Sequence, residues 1–193
     1  PHPNSDYGQS KLAAEQLFRH WRETDERRRL IIVRPAAIFG PGEHGNFTRL
    51  ARSLRTRRFA YPGRKDAIKA CGYVGDLVDS VRFAEMLPCS DFTYNFAYPK
   101  AYTSAEICEA FHAVAGFPLP RLIPAPAVRG GLAVLRRLNP RDVGGLSASR
   151  IAKLTASTNV VPAELTEHGF DWKTDITSGL DAWQRDAPVG EFV

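Results

Sequence analysis

The chain has 193 residues, enough for one domain or for one and a small second unit. Hydrophobic residues make up 44% and charged residues 24%, as in a globular protein, and no apolar run reaches the roughly 18 residues of a membrane-crossing helix. The formal charge of +5 is concentrated in Arg27 to Arg34 and Arg49 to Arg58. It suits a small anionic ligand such as a nucleotide phosphate, but no basic stripe is interleaved with aromatics, which argues against nucleic acid. Three cysteines (Cys71, Cys89 and Cys108) have neither disulfide nor metal spacing and fit a reducing cytoplasm. The five histidines are scattered. The expectations are therefore a cytoplasmic protein with no metal, no nucleic acid and no membrane partner.

Pro1 to Ser5 reads as loop, without an initiator Met or a signal-peptide pattern, so the chain reads as one entered midway. Asn4, Ser5 or Asp6 can cap the following helix, in which Ala14, Leu17, Phe18 and Trp21 form an apolar stripe expected to be buried. Leu30-Ile31-Ile32-Val33 is a continuous run of β-formers, the mark of a strand covered on both faces. Pro35 is expected to end its pairing, and Gly40-Pro41-Gly42 forms a loop just past the strand's carboxyl end, where open α/β sheets bind ligands. Asn46 can cap a helix with Phe47, Leu50, Ala51 and Leu54 on one side, and Tyr61-Pro62-Gly63 reads as a turn.

Ala70 to Val74 predicts a short strand, followed by a helix with Asp76 as N-cap and Leu77, Val78, Val81 and Ala84 inward. Phe92 to Ala97 predicts another strand. Thr103-Ser104-Ala105-Glu106 fits a capping box, and Gly116 stops the helix it opens. After Gly116 the prolines at 118, 120, 124 and 126 break any long element. Helices are predicted over Val128 to Leu138, from a Ser147 cap through Leu154, after Pro162 to Gly169, and around Ile176, Leu180 and Trp183. Residues 117–193 thus read as a small, mostly helical unit.

The chemistry-bearing pair is Tyr7 and Lys11. Residues four apart share a helix face, so the ammonium lies beside the phenol. A free phenol is a poor base near neutrality, and a fixed positive neighbour favours the phenolate. Such a pair can move a proton to or from a substrate hydroxyl. The spacing alone is a weak signal, and two exposed side chains four apart would give it too.

Several features then fall in register. Tyr7-x-x-x-Lys11 opens a helix, Arg34-Pro35 leads from a buried strand into Gly40-Pro41-Gly42, and Tyr73-Val74-Gly75-Asp76-Leu77-Val78 starts another helix. Tyr94-Asn95-Phe96-Ala97 precedes the capped helix at Thr103, and Gly169-Phe170 precedes a terminal helix with Gly179-Leu180 and Trp183. This succession resembles the carboxyl-terminal part of the extended short-chain dehydrogenase/reductases, the NAD-dependent epimerase/dehydratase family.

The resemblance implies an α/β fold: the carboxyl-terminal half of a Rossmann-type parallel sheet with a small, mostly helical substrate-binding unit. Residues 1–116 would be a partial NAD(P)-binding domain with substrate segments around 41–68, and residues 117–193 the substrate-binding domain. Tyr7 would be the catalytic acid/base and Lys11 its tuner, both also touching the cofactor. Pro35, Ala36, Ala37 and Ile38 would lie against the nicotinamide, and Asn46, Phe47 and Lys69 would bind substrate. Lys69 stands where many nucleotide-sugar members carry an arginine, and a lysine offers a point charge without a bidentate fork. His44, in the loop after Gly42, reads as a solvated histidine.

The family's glycine-rich dinucleotide fingerprint does not occur in these residues. The chain is therefore expected to hold half of an active site and to be inactive alone. The implied activity of the intact protein is a nucleotide-sugar epimerase or dehydratase using NAD, ahead of NADP, in transient hydride transfer, and working as a homodimer. The alternatives are an NAD(P)-dependent carbonyl reductase or alcohol dehydrogenase of the same family, and a non-catalytic Rossmann-derived fragment.

Overall fold

The computed structural model describes residues 5–138, 148–187 and 192. The Ser147 cap and the Gly144-Gly145 pair lie outside the described residues.

Helix α1 (Asp6–Glu23) is capped by Ser5, whose Oγ accepts from the Gly8 amide at 3.2 Å. Strand β1 (Leu30–Pro35) follows, and after Ala36 the chain re-enters a strand, β2 (Ala37–Phe39). Helix α2 (Asn46–Arg55), strand β3 (Ala60–Pro62), strand β4 (Cys71–Tyr73), helix α3 (Val74–Met86) and strand β5 (Asp91–Phe96) come next. Then follow α4 (Ser104–Ala115), β6 (Arg121–Ile123), α5 (Ala125–Leu138), α6 (Ala148–Thr155), α7 (Ala163–Glu167) and α8 (Ile176–Asp186).

Among the described residues, the strand pairs are parallel. β1 runs beside β5 with Leu30 opposite Asp91 and Pro35 opposite Phe96, β2 beside β4, and β3 beside β6. Parallel pairs need crossover connections, and the chain from β2 through α3 lies between β1 and its partner β5. The structure is thus the mixed α/β architecture with parallel strands that the sequence implies.

The β1–β5 ladder ends at Pro35, as expected. Pro35 is in register with Phe96, and the next amide, of Ala36, donates to the Phe96 carbonyl at 2.9 Å. The Ala37 amide then donates to Ala70 O at 3.3 Å, so the chain changes partner from β5 to β4 across Pro35–Ala37. Proline lacks a donor only at its own position, and here that position is tolerated. Tyr61-Pro62-Gly63, by contrast, is not the turn expected: Tyr61 and Pro62 are paired in β3, and only Gly63, at φ +89°, leaves the strand.

Among the described residues, two apolar clusters form the core. One joins Phe39 and Phe47 to Phe111, Leu180, Trp183 and Phe192. The other gathers Phe92, Tyr94 and Phe96 with Ala84, Leu165 and Phe170. In β1 only Leu30 and Ile32 are buried, while Ile31 and Val33 are half-buried, so the strand is not covered equally on both faces as expected.

The inward face of α3 also differs. Asp76, Ser80 and Ala84 are its buried residues, and Val78 is exposed. Ser80 Oγ bonds the Tyr94 hydroxyl at 3.0 Å, so a polar residue faces inward where it meets a polar partner. Thr103 and Glu106 form the predicted capping box, and Gly116 closes α4 in the left-handed region at φ +67°.

Candidate active site

Tyr7 and Lys11 sit in the first two turns of α1, and the Lys11 ammonium lies 5.4 Å from the centre of the Tyr7 ring. Both side chains are exposed, Tyr7 to 73%. The helix register therefore brings the pair together, as its spacing requires.

What fixes this helix against the strands is polar. One turn beyond Lys11, Glu15 accepts from Arg34 Nε at 2.9 Å and Nη2 at 2.5 Å, a bidentate pair. One turn further, Arg19 reaches Asp91 at 3.2 Å and Thr93 Oγ1 at 2.7 Å, and Arg22 bonds Ser90. Glu15 is held below the ordinary carboxylate range, chiefly by the hydrogen bond from Arg34. Because Arg34 immediately precedes Pro35, this pair ties the Tyr7 helix to the Pro35–Ile38 segment. Sequence reasoning missed Glu15; an acid one turn past the lysine, opposite an arginine at a strand end, was the available signal.

The apolar stripe of α1 was expected to be buried and is not. Leu17, Phe18 and Trp21 are 71%, 58% and 45% exposed, and no residue of α1 is fully buried. The polar side of the helix found partners on β1 and β5, whereas burial of the stripe needs an apolar surface over it.

Pro35 is exposed, and Ala36, Ala37 and Ile38 are half-buried between the two partner strands. Gly40 is buried at φ +145°, and a Cβ there would meet Val74 Cγ1 at 2.4 Å. The loop after β2 therefore packs tightly on the start of α3, and only glycine fits.

Asn46 does not cap α2 by its side chain; the N-cap is Gly45. Glu43 takes that role, its Oε2 accepting from the Thr48 amide at 2.8 Å, and Asn46 Oδ1 accepts from Arg49 at 3.3 Å. The Phe47 ring is buried and stacks on Phe39 at 4.7 Å, so its side chain belongs to the core. Lys69 donates to the carbonyls of Lys153 at 2.8 Å and Ala156 at 2.6 Å, closing the carboxyl end of α6. Burial, then the nearby Arg64, lowers its ammonium below the usual lysine range. His44 is an exposed loop residue. No group of three or more histidine, cysteine or acidic residues among the described residues could hold a metal, and no helix among them is long and apolar enough to cross a membrane.

Parallel strand pairs linked through helices, with a glycine loop at the carboxyl end of β2, define a Rossmann-type class of fold. Residues 1–88 match the model of the NAD dependent epimerase/dehydratase family, the family that the motifs resemble, and this stretch contains Tyr7, Lys11, Pro35–Ile38 and Lys69. The chain is 25% identical over 188 residues to an N-acetyl-alpha-D-glucosaminyl-diphospho-ditrans,octacis-undecaprenol 4-epimerase of Escherichia coli O157:H7, covering 94% of this chain and 56% of that protein. In fold it is similar to UDP-N-acetylglucosamine 4-epimerase from Bacillus cereus, with TM-score 0.67 and 17% identity over 94% of this chain and 55% of that one. It is also similar to UDP-glucose 4-epimerase from Thermus thermophilus in complex with NAD, with TM-score 0.62 and 21% identity over 97% and 56%. The chain spans about half the length of the relatives it matches.

Proposed function

We propose that this chain is the Tyr–Lys half of an NAD(P)-dependent epimerase or dehydratase acting on a sugar carried on a diphosphate, with a nucleotide sugar as first choice. The observation that carries the reading is the Tyr7–Lys11 pair, exposed on one helix and lying inside the family-matched segment. The relatives named above act on sugar diphosphates, by their names, which supports the substrate class. The functional division we propose is residues 1–116 for the cofactor side, with substrate segments around 41–68, and residues 117–193 for the substrate side. A homodimer and a cytoplasmic location complete the reading.

A nicotinamide, when bound, would accept a hydride from the sugar carbon and return it. The residues present fit such a group: Pro35 is exposed and Ala36 and Ala37 bear only methyls, leaving low, accessible backbone beside which a flat ring can lie. The Tyr7 oxygen would take the proton of the substrate hydroxyl and later return it. Lys11 would place its positive charge beside the Tyr7 ring and would hydrogen-bond the cofactor's ribose. Asn46 and the backbone at Phe47 line the substrate side. Lys69 contributes charge there only by leaving the α6 carbonyls, which supports the second reading, a reductase or alcohol dehydrogenase whose substrate has no diphosphate.

The test is Tyr7→Phe in the whole protein. Positioned acid–base catalysis contributes about 10²–10⁴-fold, so turnover should fall by that factor while NAD(P) affinity, measured by titration, is kept. Retained turnover in the variant excludes Tyr7 as the acid/base.

A further inference from the structure

Between Glu109 and Asp142 the sequence contains no acidic residue, yet it carries Arg121, Arg129, Arg136, Arg137 and Arg141. The same stretch is rich in aliphatic residues that the fold leaves outside. Leu119, Leu122 and Ile123 are 53%, 50% and 41% exposed, and all three residues of β6 are exposed although a strand ordinarily hides one of its faces. In α5, Ala125, Ala127 and Arg129 are exposed and Val128 is half-buried. A Cβ placed on Gly130 or Gly131 would meet nothing within 4 Å. Val128, Leu132 and Leu135 recur at helical spacing in its sequence.

The parallel pairing adds charge to this surface. Ala60 lies opposite Arg121, so the exposed Arg57 and Arg58, just before β3, flank the entry to β6. Past β3, the nearby acid Asp66 is already paired with Arg64 at 2.8 Å.

We propose that β6 and α5, flanked by Arg57 and Arg58, form a docking surface for an anionic lipid bilayer, on which the chain lies without crossing. An arginine-bearing helix with apolar positions at helical spacing, beside the exposed Leu122 and Ile123 of β6, is the pattern that lies in a membrane interface. Charge decides against the other occupants. In a symmetric contact with a second copy, this acid-free stretch would set arginines against arginines. Nucleic acid calls for stacking aromatics, and the exposed apolar residues of β6 are Leu122 and Ile123. The expectation of no membrane partner rested on the lack of a crossing helix and does not bear on a surface contact. The inference is independent of the catalytic reading, since its readout is adsorption.

The experiment is co-sedimentation of the 193-residue chain with phosphatidylcholine vesicles, with and without phosphatidylglycerol. Binding is expected only when phosphatidylglycerol is present and should fall with added salt. Arg121→Ala and Arg129→Ala should each weaken it about fivefold. Leu122→Ser should weaken it further at a salt concentration where the charges are screened. All three positions are exposed, and circular dichroism should show the fold intact in each variant. The proposal is overturned by absence of vesicle binding, by equal binding to neutral and anionic vesicles, or by variants that bind like the wild type. It is equally overturned if the same substitutions abolish self-association in the absence of lipid, or if the chain prefers nucleic acid to the anionic vesicles.

Discussion

The Asp76 carboxylate accepts from the amides of Lys173 at 3.0 Å and Thr174 at 3.3 Å, and from Thr174 Oγ1 at 2.6 Å. It does so almost wholly buried. The sequence reading made Asp76 the N-cap of α3, but the N-cap is Tyr73 and the carboxylate serves a segment nearly a hundred residues away. Asp76→Ala leaves the Lys173 and Thr174 amides facing no acceptor and should cost about 2–3 kcal/mol in urea unfolding. A residue that merely favoured the helix end would cost about 1 kcal/mol. The two readings separate in a double-mutant cycle with Thr174→Val: coupling of about 1 kcal/mol or more is expected, and additive effects would return Asp76 to the helix end alone. The acid at the start of the helix was legible because helix ends are local. Its partners were not, because nothing in the sequence near Asp76 points to Thr174.

Among the elements, α1 decides how the candidate site is held, and it is held by ions rather than by its apolar stripe. Since Arg34 lowers the Glu15 pKa in the folded chain, the pair stabilises the protein above the ordinary carboxylate value of 4.5. That stabilisation is lost as the pH falls through the lower folded value. Glu15→Gln should therefore flatten the acid side of the stability profile, and a cycle with Arg34→Ala should show a coupling of about 1 kcal/mol. Unfolding midpoints on either side of pH 4.5 measure both, and an unchanged acid slope would remove the pair as an anchor. The capping box on α4 behaves in the same sense. Glu106 is drawn down to about 2, first by the Thr103 amide and then by Lys100 and the Thr103 hydroxyl, and Thr103→Ala should cost about 1 kcal/mol. The Ser5 cap, the Thr103 box and the Gly116 stop were all readable, since each depends on residues within one turn. The outward stripe of α1 and the partner change at Pro35 were not, because both depend on what lies alongside.

At the scale of the whole molecule, the larger apolar cluster does not respect the change of sequence texture at Gly116. Trp183, fully buried on α8, lies 6.1 Å from Phe39 at the end of β2 and 5.0 Å from Phe192. Phe111 of α4 meets the same Phe192 ring at 5.0 Å. The proposed division into residues 1–116 and 117–193 is thus a division of roles laid over a shared core. Removing the largest ring of that core should cost about 3–5 kcal/mol, so Trp183→Ala tests how far the two stretches are energetically one. If they are, the variant unfolds in a single transition at lower urea, and near-ultraviolet and far-ultraviolet signals fall together. If 117–193 folds by itself, the variant loses that segment first and the probes separate into two steps. We expect coincidence, because Phe39 stacks on Phe47 of α2 and the Tyr98 hydroxyl bonds Thr174 at 2.7 Å, so the loss of Trp183 reaches the first stretch through aromatic and polar contacts alike. A shared core of this kind would also make the geometry around Pro35–Ile38 depend on the terminal helix, and Trp183→Ala would then loosen the site without touching any residue in it.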